Sequence, residues 1–177
     1  MEKVNEMISV QETKAKKRNK GFSLVELIIV IAIMAILVGV VGTQVLPYMD
    51  KSRKAKDMQV VSAVCTAAVT TFAEHAADLG AQATYTYTYT NSLDQANDAT
   101  NVNDATDINA ELKSLLGVAS GTNLFTGYFG GATATSLSSK SGKTATTLVI
   151  TYTPASGAVS VKLTNGTNDI LDPVTSK

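Results

Sequence analysis

Residues 16–49 read KKRNKGFSLVELIIVIAIMAILVGVVGTQVLPYM. Between Glu26 and Asp50 lie 23 residues without a charge. As a helix they cover ~34 Å, more than the ~30 Å of a bilayer's hydrocarbon core. The run is apolar around its whole circumference, which suits lipid or the centre of a helical assembly and does not suit an amphipathic surface helix. Gly39, Gly42 and Pro47 predict locally weak helix in its later part.

Beyond Asp50 the pattern becomes amphipathic. At about 100° per residue, Met58, Val61, Cys65, Ala68, Phe72, Ala76 and Leu79 share one side, and Gln59, Ser62, Thr66, Thr70 and Ala77 fall opposite. The stripe predicts a helix to Leu79 with Gly80 as its cap. From Phe22 to Leu79 that helix would be ~87 Å long, too long for a compact domain to bury, so half is expected to protrude.

Residues 83–90, ATYTYTYT, alternate strictly, with Tyr85, Tyr87 and Tyr89 on one face, and predict a strand. Residues 91–109 are rich in Asn and Asp, repeat NDAT, and read as loop. Asp107 is the expected cap of a short helix, INAELKSLL, that stops at Gly117. Phe125, Tyr128 and Phe129, set among glycines, read as strand or turn. The clearest hairpin pairs residues 144–153, with Leu148, Ile150 and Tyr152 on one face, to residues 158–164, with Val159, Val161 and Leu163. Asn165 and Gly166 turn the chain again, and NDIL at residues 168–171 is the candidate edge strand. The predicted fold is α+β: one long N-terminal helix whose second half packs on a small antiparallel sheet. Its expected divisions are residues 1–21, 22–49, 50–80 and 81–177.

Charge and composition narrow the function. The chain holds 15 basic and 15 acidic side chains, one His and one Cys. Residues 1–21 carry a net charge of +3 and residues 58–177 a net of −4, with Lys51, Arg53, Lys54 and Lys56 between them. Zero net charge argues against a general nucleic-acid partner. One Cys and one His exclude an intramolecular disulfide and the common Cys/His zinc sites. Cys65 lies on the apolar stripe and reads as a buried structural thiol. His75 lies in an Ala-rich helical stretch without a nucleophile motif and reads as a helix-rim side chain. No paired-carboxylate or phosphate-cradling constellation stands out, so no enzyme, cofactor or metal site is expected.

Gly21, Phe22, Ser23, Leu24, Val25 and Glu26, followed by an unbroken apolar helix, resemble the start of the type IV pilin and pseudopilin family. A carboxylate at the fifth place of a hydrophobic segment is costly and calls for a reason. The resemblance implies that a prepilin peptidase cuts between Gly21 and Phe22 on the cytoplasmic side. It also implies methylation of the new Phe22 amino group and a role for Glu26 in assembly, its carboxylate pairing with the amino terminus of a neighbouring subunit. The implied partners are copies of the chain itself in a helical homopolymer, the peptidase, the pilus assembly machinery and, before assembly, membrane lipid. The implied location is a single-pass cytoplasmic-membrane precursor that becomes an extracellular pilus. Relative to many family members, which have a proline near the place of Thr43, Pro47 shifts the expected kink or melted stretch.

Three other readings of the N-terminal half and one of the loop compete with this. A secretory signal peptide lacks a convincing cleavage site after Val41, and Glu26 is foreign to its apolar region. A signal-anchored enzyme lacks a catalytic constellation. A pseudopilin of a secretion or DNA-uptake system shares Gly21, Phe22 and Glu26. Residues 97–107 have the Asn/Asp content of a calcium loop, but they lack the alternating acidic spacing with a distal Glu and read as a solvated loop.

Overall fold

The computed structural model describes residues 21–77, 79, 81–92, 94–96 and 105–176. The expected leader through Lys20, Gly80 as a cap, and the loop at residues 97–104 fall outside these residues. The chain divides into two units between Thr43 and Gln44.

In the first unit, residues 21–23 precede the long helix α1 (Leu24–Glu74), which continues into the second unit. Its side chains through residue 43 are exposed, Leu24 to 73%. Among the described residues α1 is the one helix long and apolar enough to cross a membrane. Neither Gly39, Gly42 nor Pro47 interrupts it. Pro47 lacks an N–H and so withdraws one bond from the helical ladder, without breaking the helix.

In the second unit, the predicted stripe meets a sheet. Val61, Cys65, Ala68 and Phe72 are buried, joined by Val64, Ala67 and Thr71, while Gln59, Ser62, Thr66, Thr70 and Ala77 are exposed. Helix α1 ends at Glu74, five residues before the predicted Leu79. Ala76 is exposed, so Phe72 is the last fully buried residue of the stripe, with Leu79 only partly buried against the core. The final turn holds an acid and no base, the unfavourable sign at a helix C-terminus.

The sheet is antiparallel throughout, in the order β2-β1-β3-β4-β5, formed by β1 (Tyr85–Thr90), β2 (Asp94–Ala96), β3 (Thr147–Thr153), β4 (Ala158–Thr164) and β5 (Val174–Thr175). Alternation places Tyr85, Tyr87, Tyr89, Leu148, Ile150, Tyr152, Val159, Val161 and Leu163 inward, as the period of two requires. Phe72 of α1 stacks on Tyr152 with ring centroids 4.7 Å apart and lies 5.2 Å from Tyr87. Strand β2 forms inside the stretch read as loop, because pairing with the edge of β1 outweighs its turn-like composition.

Three further expectations are corrected. NDIL forms a single bridge, Thr164 to Asp169, and the edge strand is β5 instead, seated by the Ser176 N–H on the Val159 carbonyl at 2.9 Å. Helix α2 (Ala105–Leu115) starts before Asp107, which sits in its first turn and is not its cap. There its charge still complements the helix dipole. Gly117 does terminate α2 as expected: at φ +68° it lets Val118 N–H reach the Lys113 carbonyl at 2.8 Å, with Gly117 N–H on Ser114 at 3.1 Å.

The third correction concerns Phe125, Tyr128 and Phe129, which form helix α3 (Leu124–Phe129) where strand or turn was expected. Asn123 caps it by accepting from Phe125 and Thr126 N–H at 2.9 and 3.3 Å, and Gly130 ends it at φ +85°. Those caps override the strand preference of the aromatics.

Candidate processing and assembly site

The residues singled out at the N-terminal end of α1 are Gly21, Phe22 and Glu26. Gly21 and Phe22 stand in irregular backbone before the helix, with Phe22 91% exposed. A Cβ added at Gly21 would meet nothing within 4 Å.

Ser23 holds the N-cap position and Glu26 the third helical position. The Glu26 carboxylate reaches back and accepts the Ser23 backbone N–H at 2.9 Å, while Leu27 N–H closes the first helical bond to the Ser23 carbonyl at 3.2 Å. This is the acidic half of a capping box, with the charge at the positive end of the helix dipole. The carboxylate thus sits beside the backbone that immediately follows Phe22. A free amino group at Phe22 would be a stronger, charged donor than the Ser23 amide it now engages.

Elsewhere His75, Glu74, Glu111 and Cys65 are engaged by neighbouring groups. His75 Nε2 lies 2.7 Å from Glu111 Oε2, half-buried and joining the end of α1 to α2. The hydrogen bond with Glu111, then the repulsion between the two carboxylates, raises Glu74 above its ordinary value. Glu111 is lowered by its hydrogen bonds with Glu74 and His75. Cys65 is buried, as expected, and burial pushes its thiol up, away from a reactive thiolate.

Asp57 is the residue that sequence reasoning missed. It is 1% exposed and accepts the backbone N–H groups of Ser138 and Ser139 at 2.6 and 2.8 Å. Gly142 packs so closely that a Cβ there would stand 2.6 Å from the Asp57 carboxylate, and Gly142 N–H donates to Ser139 Oγ at 2.8 Å. This clasp ties residues 138–142 to α1.

Two surface concavities, of about 460 and 550 Å³, are lined without a carboxylate, histidine or cysteine; Lys113 borders the first and Tyr128 the second. Among the described residues no group of three or more His, Cys, Asp or Glu side chains is placed to hold a metal.

Residues 16–42 match the family described as the prokaryotic N-terminal methylation motif. No curated protein and no solved structure matches the chain.

Proposed function

We propose, from the match of residues 16–42 to the prokaryotic N-terminal methylation motif, that the chain is a structural, non-enzymatic subunit of a type IV pilus-like filament. The precursor is held in the cytoplasmic membrane by a single span, cut between Gly21 and Phe22 by a prepilin peptidase, and methylated on the Phe22 amino group. The leader, residues 1–21, is discarded. Residues 22–49 are the membrane and assembly segment, residues 50–80 the amphipathic continuation, and residues 81–177 the head. The mature subunit then has nine basic and twelve acidic side chains, a net charge of −3.

The single observation that supports this most is the place of Glu26 within the matched motif. Its carboxylate occupies the first turn of an apolar helix, within reach of the backbone next to Phe22. In the precursor it caps α1. In the filament it pairs with the Phe22 amino group of a neighbouring subunit, where each charge alone among apolar helices would be expensive. The apolar run passes from lipid into a bundle of like helices and does not meet water on the way.

Pseudopilins of secretion or DNA-uptake systems share the motif. A surface pilus is favoured by the outward face of the sheet, where hydroxyls stand in register: Thr86 opposite Thr151, Thr151 opposite Ser160, and Ser160 opposite Thr175. Such a face, low in charge and rich in hydrogen-bonding groups, suits the exterior of an extracellular fibre.

The variant Glu26→Ala tests the reading. Removal of the leader is expected to proceed as in the wild type, and electron microscopy of cells is expected to show no filaments. Normal filaments from this variant would refute the charge-pairing role.

A further inference from the structure

Lys51, Arg53, Lys54 and Lys56 come after the uncharged residues 27–49 and Asp50, and all four are exposed on α1. Two acids flank them in sequence, and the structure treats the two differently. Asp57 is turned inward and held by the Ser138 and Ser139 amides. Asp50 stays near the surface, 3.6 Å from the Lys54 ammonium. The accessible surface of this stretch therefore offers four cations against one carboxylate.

Their placement around the helix selects the kind of partner. At about 100° per residue, Lys56, Arg53 and Lys54 lie at about 140°, 200° and 300° from Lys51, so no one half of the helix holds all four. A nucleic-acid duplex or the acidic face of another protein approaches a helix from one side and reaches at most three of these cations. A plane of phosphates pierced by the helix meets them all.

The axial dimensions agree. From residue 51 to 56 the helix rises ~7.5 Å, about the depth of one headgroup layer in a bilayer ~40–45 Å thick with a ~30 Å hydrocarbon core. The preceding uncharged residues are long enough to place the ring just outside that core. Tyr48, 74% exposed, comes next to it on the apolar side, where aromatic side chains mark the membrane interface.

We propose that Lys51, Arg53, Lys54 and Lys56 form a collar that binds the phosphates of anionic phospholipid headgroups on the side of the membrane opposite the leader. The proposal rests on the membrane-anchored reading above. While the leader is present, cation clusters hold both ends of the span. After cleavage the collar is the basic cluster that remains, and it sets the depth at which the mature subunit waits. Entry into a filament then requires release of these phosphates, so the collar slows extraction from anionic membrane.

The test uses the full-length chain purified in a neutral detergent, with phosphatidylglycerol and phosphatidylcholine as competing probes and retained lipid counted by native mass spectrometry. Each cation near an anionic surface is worth about fivefold in binding. K51Q/R53Q/K54Q/K56Q is expected to lose at least about tenfold of the preference for phosphatidylglycerol, while K51R/R53K/K54R/K56R keeps it. Equal preference in the wild type and the glutamine variant would overturn the collar. So would a glutamine variant that keeps its lipid preference but no longer forms filaments, since the cations would then serve a contact between subunits. A separate arm reconstitutes the wild type into vesicles of the two lipids and washes them with alkaline carbonate. Retention is expected; release would overturn the membrane-anchored reading itself, whereas a chain that is retained but indifferent to the glutamine substitutions overturns the collar alone.

Discussion

Replacing Asp57 with Ala probes the contact that ties the loop at residues 138–142 to α1. The carboxylate is 1% exposed and takes two backbone N–H groups at 2.6 and 2.8 Å. Each such bond to a charged acceptor contributes roughly 1.5–3 kcal/mol, and its removal leaves two amides short of partners. Two such bonds sum to about 3–6 kcal/mol, and the ~3–5 kcal/mol found when one partner of a buried charged contact is deleted is the expected loss. For a unit of this size that lowers Tm by about 10–20 °C. Asp57→Asn keeps the shape but turns an NH₂ toward one amide, and about half the loss is expected. Gly142→Ala reaches the same contact from the other side, because its new Cβ would lie 2.6 Å from the Asp57 carboxylate. Its cost should shrink when Asp57 is already Ala, a coupling that a double-mutant cycle measures. The assay is thermal unfolding of the full chain in detergent, followed by circular dichroism. A loss below about 1 kcal/mol for Asp57→Ala, the level of an ordinary neutral hydrogen bond, would refute the reasoning. Strict additivity with Gly142→Ala would refute the shared contact.

Two further perturbations follow from the packing. Phe72→Ala removes the ring stacked on Tyr152 and set against Tyr87 and should cost about 3–5 kcal/mol, read as a lower urea midpoint; an unchanged midpoint would mean that α1 does not depend on this anchor. In Glu111→Gln, the Glu74 carboxyl should titrate lower, back toward its ordinary range, because its hydrogen bond with Glu111 is the leading cause of its elevation; carbon NMR of the side-chain carboxyl reads this directly. The depressed value of Glu111 contributes stability above its unfolded-state value, and this is lost as pH falls through the folded-state value. The raised value of Glu74 acts in the opposite sense, contributing below its unfolded-state value and fading as pH rises through the folded one. Melting of Glu111→Gln should accordingly depend less on pH across the acidic range.

Where local pattern and tertiary environment agree, the sequence was legible. Alternation in residues 85–90 and in the hairpin placed every tyrosine, valine and leucine of those strands on the correct face, and the stripe on α1 identified Val61, Cys65, Ala68 and Phe72 as its buried side. Helix α3 was legible in principle: Asn123 and Gly130 are cap residues six positions of helix apart, but three aromatics between glycines drew the reading toward strand. The edge strand was not legible. Residues 168–171 and 174–175 are both short segments beside β4, and the choice is made by the Val159 carbonyl and its Ser176 partner.

Asp57 shows the limit most clearly. In sequence it is the acid that closes a basic run. Its burial depends on amides 81 and 82 residues away, and nothing near it announces them. At the candidate site, Glu26 is conspicuous as a carboxylate in an apolar run, whereas Gly21 and Phe22 enter through the resemblance carried by residues 21–26. The capping bond from Ser23 adds what the Glu26 carboxylate does within the single chain.

The most direct measurement of the central claim is intact-mass and N-terminal fragment spectrometry of purified filaments. The account predicts a subunit of 156 residues beginning at Phe22, with a methyl group on its amino nitrogen. A subunit beginning at any other residue would contradict processing between Gly21 and Phe22, and an unmodified Phe22 amine would contradict the methylation.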